Sequence, residues 1–320
     1  MFNDRIELIE KIENLFNTKL IVYVTSDRRG METQIAQDVI DLFIKHLNSI
    51  GPVQKISLFL YTRGGDTAAA WNIINLLKMY CDELEIIVPH KAHSAGTLIS
   101  IGANKIVMTK EATLGPIDPS INTPLNPLLK SGTTYPVSVE AVKGYLEFAK
   151  EELKIKDDNA LAEIMIKLSE YVHPLVLGQV YRTRAQIQMI AKKLLTNQIT
   201  DNDKIQSIIS FLCSDSGSHD YTINRREAEK LGLNIIKPNN DQYDAINALF
   251  QNISDELKLT EPFDKRKCDG PSIIKRVILE TSMCSYKFIT EMNISRIQLP
   301  NGQQGIQEER NFDGWREDNE

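Results

Sequence analysis

The chain has 320 residues, of which 42% are hydrophobic and 25% charged, enough apolar material for one large soluble core with or without an appendage. A formal net charge of −6 with both signs interspersed leaves no basic footprint, so nucleic acid is not expected as a partner. The N-terminal run MFNDRIELIEKIENLF mixes acids with apolar residues and does not read as a signal peptide, and no stretch reaches the roughly 18 apolar residues of a membrane helix. The expectation is a cytoplasmic chain without a membrane span. Cys81, Cys213, Cys268 and Cys284 are far apart and form no CxxC pair, which fits reduced thiols better than a zinc site or a disulfide framework. No metal and no cofactor are expected.

In chain order, residues 5–16 carry Leu8, Ile9, Ile12 and Leu15 at three- and four-residue spacing and predict a helix. The β-branched run LIVYVT (20–25), closed by SDRRG, predicts a strand. Residues 33–47 place Ile35, Val39, Ile40, Phe43 and Leu47 along one face of a second helix, ending near Gly51 and Pro52. ISLFLY (56–61) reads as a buried parallel strand, broken by Thr62-Arg63-Gly64-Gly65 and followed by Asp66 as N-cap of a helix over 67–79. LEIIV (84–88) is another buried strand, residues 95–101 a short apolar helix, and residues 106–108 a further strand before the loop LGPIDPS. This alternation has βαβ pitch and implies a mainly parallel sheet with right-handed crossovers.

From residue 137 to 195 the pattern turns helical, a wall against the sheet, with Val142, Tyr145, Leu146 and Ala149 on one face and Val176, Val180, Ile187, Ile190 and Leu194 on another. Residues 227–231 form a short helix stopped by Gly232, and residues 241–257 a last amphipathic one. Beyond Pro262, runs such as RVILET, YKFIT and SRIQL predict a small β appendage, and the tail from residue 301 is too polar to bury much. The organisation expected is a principal domain over residues 1–260 and a C-terminal β-rich extension with a polar tail over 261–320.

Ser94 stands in HKAHSAGTLIS, directly after a buried strand and before an apolar helix, with Ala92, Ala95 and Gly96 as small neighbours. A serine there lies beside backbone N–H groups that have no intrahelical partner, and small flanks let a substrate carbonyl approach. The plain alternative is an ordinary N-cap serine. Gly64-Gly65 occupies the same kind of strand-to-helix junction one βα unit earlier, and neighbouring parallel strands would bring both turns to one carboxyl-end crevice. With the Ala95 N–H, Gly64 and Gly65 would then form an oxyanion hole; the alternative is a tight βα turn.

The stretches LYTRGGDTAAAWNIINLL, IIVPHKAHSAGTLISIGANKIVMTKEATLGPIDPS and SHDYTINRREAEKLGL resemble the serine dehydrogenase proteinase family of the Clp protease/crotonase superfamily, related to signal peptide peptidase A. The likeness runs from about residue 20 to residue 236. It implies an α/β fold of repeated ββα units, Ser94 as nucleophile, Gly64-Gly65 as the family's Gly-Gly turn, a peptide or protein substrate, and assembly into a homo-oligomer. Three positions depart from the family pattern: Arg63 stands where proline is usual, Ala95 replaces glycine after the nucleophile, and His93 replaces an apolar residue.

A serine hydroxyl needs a base, and several residues compete. His219 comes first, in the loop SGSHDYTI that the resemblance covers, with Asp118 of LGPIDPS to orient an imidazole or line the cleft. His90, four residues before Ser94, is a second histidine, and Lys143 and Lys150 stand where related Ser-Lys enzymes keep a lysine. Each has a structural reading: a loop-pinning histidine, a turn aspartate before Pro119, a strand-end histidine, a solvated helix face. His46 and His173 suggest no chemistry.

The function expected is therefore a serine endopeptidase working through a Ser94 acyl-enzyme. The alternatives are a crotonase-like acyl-CoA enzyme and a non-catalytic, partner-binding member of the same fold.

Overall fold

In a computed structural model, the described residues are 2–118, 120–130, 132–215, 218, 220–298 and 304–318. They divide into two compact units, residues 1–114 with 223–320, and residues 115–222. The first unit opens with α1 (Phe2–Phe16), β1 (Lys19–Thr25), α2 (Ile40–Ile50), β2 (Val53–Tyr61), α3 (Thr67–Lys78) and β3 (Cys81–Val88). It continues with β4 (Lys91–Ala92), α4 (Ala95–Ile101), β5 (Lys105–Met108) and β6 (Thr113–Leu114). The second unit holds β7 (Ser120–Ile121), β8 (Val137–Ser138), α5 (Val139–Glu147), α6 (Asp158–Tyr171), α7 (Pro174–Leu195) and α8 (Asn202–Ser210). The chain then completes the first unit with β9 (Ile223–Asn224), α9 (Arg225–Leu231), β10 (Ile235–Ile236), α10 (Asn240–Leu257), β11 (Gly270–Glu280), β12 (Ser285–Gln298) and β13 (Gln304–Asp318).

Eight strands of the first unit form one sheet in the order β10-β5-β3-β2-β1-β11-β12-β13. It is parallel from β10 to β1 and antiparallel from β1 to β13. The register sets Val22, Phe59, Ile87 and Val107 side by side, and this row shares a core with Ile9, Ile12 and Phe16 of α1 and Leu249, Phe250 and Ile253 of α10. The alternate row, Ile21, Leu58, Ile86 and Ile106, is as fully buried. Burial on both faces is why these strands read as unbroken apolar runs instead of alternating ones.

The start of α3 and the end of α9 follow their predicted caps. The Asp66 carboxylate accepts the Ala68 N–H at 2.7 Å to start α3, and Gly232, at φ 93°, stops α9. Asn239 and Gln242 form a capping box on α10.

One expectation is corrected. Residues 33–36 are not helical: α2 begins only at Ile40, after a 3-10 turn over Gln37–Val39. The Ile35 N–H donates to Gly64 O at 2.9 Å and Ile35 O accepts the Asp66 N–H at 2.8 Å, so this backbone pairs with the Gly-Gly turn. The polar tail buries none of its described residues, as its composition implies, and forms a strand, β13, paired with β12 from Ser285↔Asp318 to Gln298↔Gln304. Backbone pairing needs no apolar side chain, and cross-strand ion pairs, Arg316 with Glu291 at 2.6 Å and Lys287 with Asp318, stand in for apolar contacts. Through β11 on β1, these C-terminal strands continue the main sheet.

Deep in the first unit, Arg5 is wholly buried. Its Nε donates to Glu280 Oε2 at 2.8 Å, and its guanidinium also pairs with Glu256, which in turn holds Lys275 and Lys287. This network ties α1 and α10 to β11 and β12.

The second unit is mainly helical. Ile121, Val137, Val139, Val176 and Val180 make its small core around the β7–β8 pair. Helix α6 buries none of its residues. Among the described residues no helix is long and apolar enough to cross a membrane.

Candidate active site

Strand β2 ends in Tyr61, and the chain then makes the turn Thr62-Arg63-Gly64-Gly65 before α3. The buried Thr62 holds this turn from inside. Its hydroxyl receives the Thr25 hydroxyl at 2.8 Å and the Gly64 N–H at 3.0 Å. Its backbone receives the His93 N–H at 3.1 Å and donates to Lys91 O at 3.0 Å, which binds the turn to the segment just before Ser94. Gly96 closes the assembly, because a Cβ there would meet Thr62 Cγ2 at 2.5 Å.

Gly64 lies directly against Ser94. A Cβ on Gly64 would come 2.8 Å from Ser94 Cβ, 3.0 Å from His93 O and 3.3 Å from Ala95 N. Gly64 also has φ 114°, and Gly65 has φ 145° with Ile35 O only 2.3 Å from where its Cβ would be. Side chains are excluded from both positions by space and by backbone conformation.

Ser94 occupies the N-cap position of α4 but does not cap it with its side chain. Its backbone, at φ 52° and ψ −112°, lies outside the ordinary left-handed well, and a non-glycine residue in such a region carries about 1–3 kcal/mol of strain. An N-cap serine normally sits in the β region with its oxygen on the N–H of the second or third helical residue. The observed geometry instead frees the half-buried hydroxyl from the helix it precedes. A serine on a strained strand-to-helix turn is the backbone arrangement that presents a nucleophile.

Two backbone donors of these turns stay unused. In the pairing with Ile35, Gly64 C=O and Asp66 N–H point to one edge, so the Gly65 N–H leaves on the other. The Ala95 N–H is the first of α4 and has no turn before it. Neither has an acceptor among the described residues, whereas the Gly64 N–H is already given to Thr62. Among the three sequence-predicted oxyanion positions, Gly65 and Ala95 thus keep an unused N–H, and Gly64 serves as the close-packed spacer.

Of the other predicted residues, His90 stacks on Phe250, ring centroids 4.8 Å apart, and His93 Nε2 lies 2.9 Å from Thr113 Oγ1. Arg63 is exposed beside the turn, 3.9 Å from Glu32. Asp118 is buried in the second unit. Lys143, on α5, is the cation of ion pairs with Glu147 at 3.1 Å and Glu140 at 3.9 Å, and Lys150 is exposed. His219 lies outside the described residues. Sequence reasoning missed Thr62, Ile35 and Gly96 as the parts that hold the turn; only Gly96, small and next to the serine, left a signal.

Fold and turn together define an α/β chain with a parallel sheet core, with a serine and a Gly-Gly turn on successive βα units. Residues 40–142, the span that contains Gly64, Gly65 and Ser94, match the model of the ClpP-like SDH-type serine proteinase family. Two uncharacterized proteins of Methanocaldococcus jannaschii are similar to it. One is 32% identical over 183 residues, covering 56% of this chain and 53% of the relative. The other is 27% identical over 180 residues, covering 56% and 51%. The chain thus spans about half the length of the curated relatives it matches.

Among solved structures, a mutant membrane-bound stomatin-specific protease bound to a substrate peptide aligns at 16% identity and TM-score 0.40, over 65% of this chain and 73% of that one. ClpP1 from Listeria monocytogenes aligns at 14% identity and TM-score 0.37, over 74% and 97%.

Proposed function

We propose that the chain is a serine peptidase whose nucleophile is Ser94. The observation that carries this reading is the Ser94 backbone, strained and uncapped, with Gly64 packed against it and the N–H groups of Gly65 and Ala95 left unused. Ser94 Oγ attacks the peptide carbonyl carbon and its proton passes to the base. The carbonyl oxygen becomes an oxyanion held by the two N–H groups, each such donor being worth about 2.7–4 kcal/mol in the transition state. Collapse expels the amine, which takes the proton, and water then releases the acyl group from Ser94.

His219 is the proposed base, with Asp118 orienting it. Lys143 is the weaker candidate because it is already engaged with Glu147 and Glu140. A histidine base makes kcat/KM rise with pH as its imidazole loses its proton. A His219→Gln protein of undiminished activity removes His219 from the mechanism.

The direct test is labelling with a fluorophosphonate probe. Wild type should be modified on Ser94, and Ser94→Ala should lose both the label and peptide hydrolysis. An unlabelled but folded wild-type protein sinks the peptidase reading in favour of a non-catalytic one.

The same reading includes a homo-oligomer. Helix α6 with no buried residue, and Tyr171, Leu175 and Tyr181 at 77%, 68% and 76% exposure, leave an apolar surface that self-association would cover. A monomeric mass by light scattering removes that part.

A further inference from the structure

The second unit contains a cleft of about 380 Å³ that includes neither Ser94 nor the Gly-Gly turn. One wall is a single stripe of α7, where Arg184, Gln188 and Lys192 recur every fourth residue and so share a face. The opposite wall is α8 and the turn after it, with Gln206, Ser210 and Ser214. Lys143 of α5 adds a third cation.

The charges on these walls are unevenly satisfied. Arg184 gives one N–H to Ser214 Oγ at 3.2 Å. Its Nε lies 3.3 Å from Glu140 Oε1, yet both atoms are buried without a hydrogen bond. Lys143 is held by Glu147 and Glu140. Two carboxylates thus face three cations, and Lys192 has no ion pair among the described residues. The side chains of Gln188, Gln206 and Ser210 likewise have no hydrogen-bond partner among the described residues. Met189 and Ile209 supply apolar wall between the polar groups.

We propose that this cleft binds a small organic phosphate, up to a mononucleotide in size, with Arg184 and Lys192 on the phosphate. A guanidinium fork, an ammonium and neutral N–H and O–H donors match a tetrahedral, multiply charged oxyanion. The volume exceeds what inorganic phosphate fills and falls in the range of about 300–1,000 Å³ typical of small-ligand sites. The Met189 and Ile209 wall suits the organic part. This assignment does not depend on Ser94.

The test is calorimetric titration of the full chain with AMP, pyrophosphate, inorganic phosphate and adenosine, at low and at physiological salt. AMP and pyrophosphate should bind, more weakly as salt rises, and adenosine should not. Lys192→Gln should weaken AMP by roughly tenfold, the order of one charge-assisted contact, and Lys192→Arg should restore it. Lys192 is exposed and unpaired, so its variants keep the fold even if Arg184→Gln does not. Three outcomes overturn the proposal: no binding of any phosphate probe, equal AMP affinity in wild type and Lys192→Gln, or a polyglutamate peptide binding more tightly than AMP.

Discussion

Replacing Gly64 by alanine probes the close fit between the Gly-Gly turn and the serine. The added Cβ would be 2.8 Å from Ser94 Cβ and 3.0 Å from His93 O, against roughly 3.5–4.0 Å for relaxed carbon contacts. Neither neighbour is the far end of a flexible side chain, so relief requires the turn and Ser94 to part by about 1 Å. Holding a non-glycine residue at φ 114° costs about 1–3 kcal/mol, and the overpacking about as much again. A shift of about 1 Å at reacting atoms costs on the order of a hundredfold in rate. The assay is the rate of fluorophosphonate labelling, read beside urea unfolding of the same preparation. Gly178→Ala, on α7 with nothing within 4 Å of the new Cβ, is the control and should be stabilised by about 0.5–1 kcal/mol with its labelling rate unchanged. A folded Gly64→Ala protein that is labelled at the parental rate refutes the geometry.

Arg5→Met should cost about 3–5 kcal/mol in urea unfolding, because it strands the wholly buried Glu280; a loss under about 1 kcal/mol would show that the network is not what joins α1 to β11. His46 gives a pH signature. Burial among Thr281, Cys284 and Tyr286, with Lys45 over the Tyr286 ring, lowers its pKa from 6.5 to about 4. The unfolded chain then binds the extra proton first, so stability present above pH 6.5 is lost as pH falls toward about 4, a loss on the order of 3 kcal/mol. His46→Gln should flatten that window, and an unchanged slope would exonerate His46. Glu256 acts in a lower range: burial raises its carboxyl, but Arg5, Lys275 and Lys287 outweigh that and hold it at about 2. Arg63, exposed in the Gly-Gly turn, should favour acidic residues near the scissile bond, so Arg63→Glu should invert the kcat/KM ratio of an acidic and a basic test peptide; an unaltered ratio dismisses Arg63 as a specificity determinant.

What was legible in the sequence was local. The runs ISLFLY and LEIIV announce strands buried on both faces, and Asp66 and Gly232 mark helix ends, because each signal is complete within a few residues. The juxtaposition of Gly64-Gly65 with Ser94 was legible for the same reason, since consecutive βα units on neighbouring parallel strands bring their turns together. Ile35 misled because its 3.6-residue spacing with Val39 and Phe43 is real, while the bonds it makes to Gly64 and Asp66 lie some thirty residues away in sequence. Strand β13 was hidden because its stability rests on backbone pairing and cross-strand charge, neither of which raises hydrophobicity. The strain at Ser94 has the same kind of origin. Read alone, a serine before an apolar helix is an N-cap in the β region. Here Thr62 pins the Gly64 N–H and the His93 N–H at once, and Gly96 packs on Thr62, so the chain reaching Ser94 is fixed from both sides before the serine chooses its conformation. Gly64 packed against its Cβ completes the constraint on a backbone conformation that an N-cap serine would avoid. The uncapped serine is thus a product of tertiary packing around Thr62, and Thr62→Val, which keeps the shape but removes the hydroxyl, should release the Gly64 N–H and slow labelling without unfolding the protein.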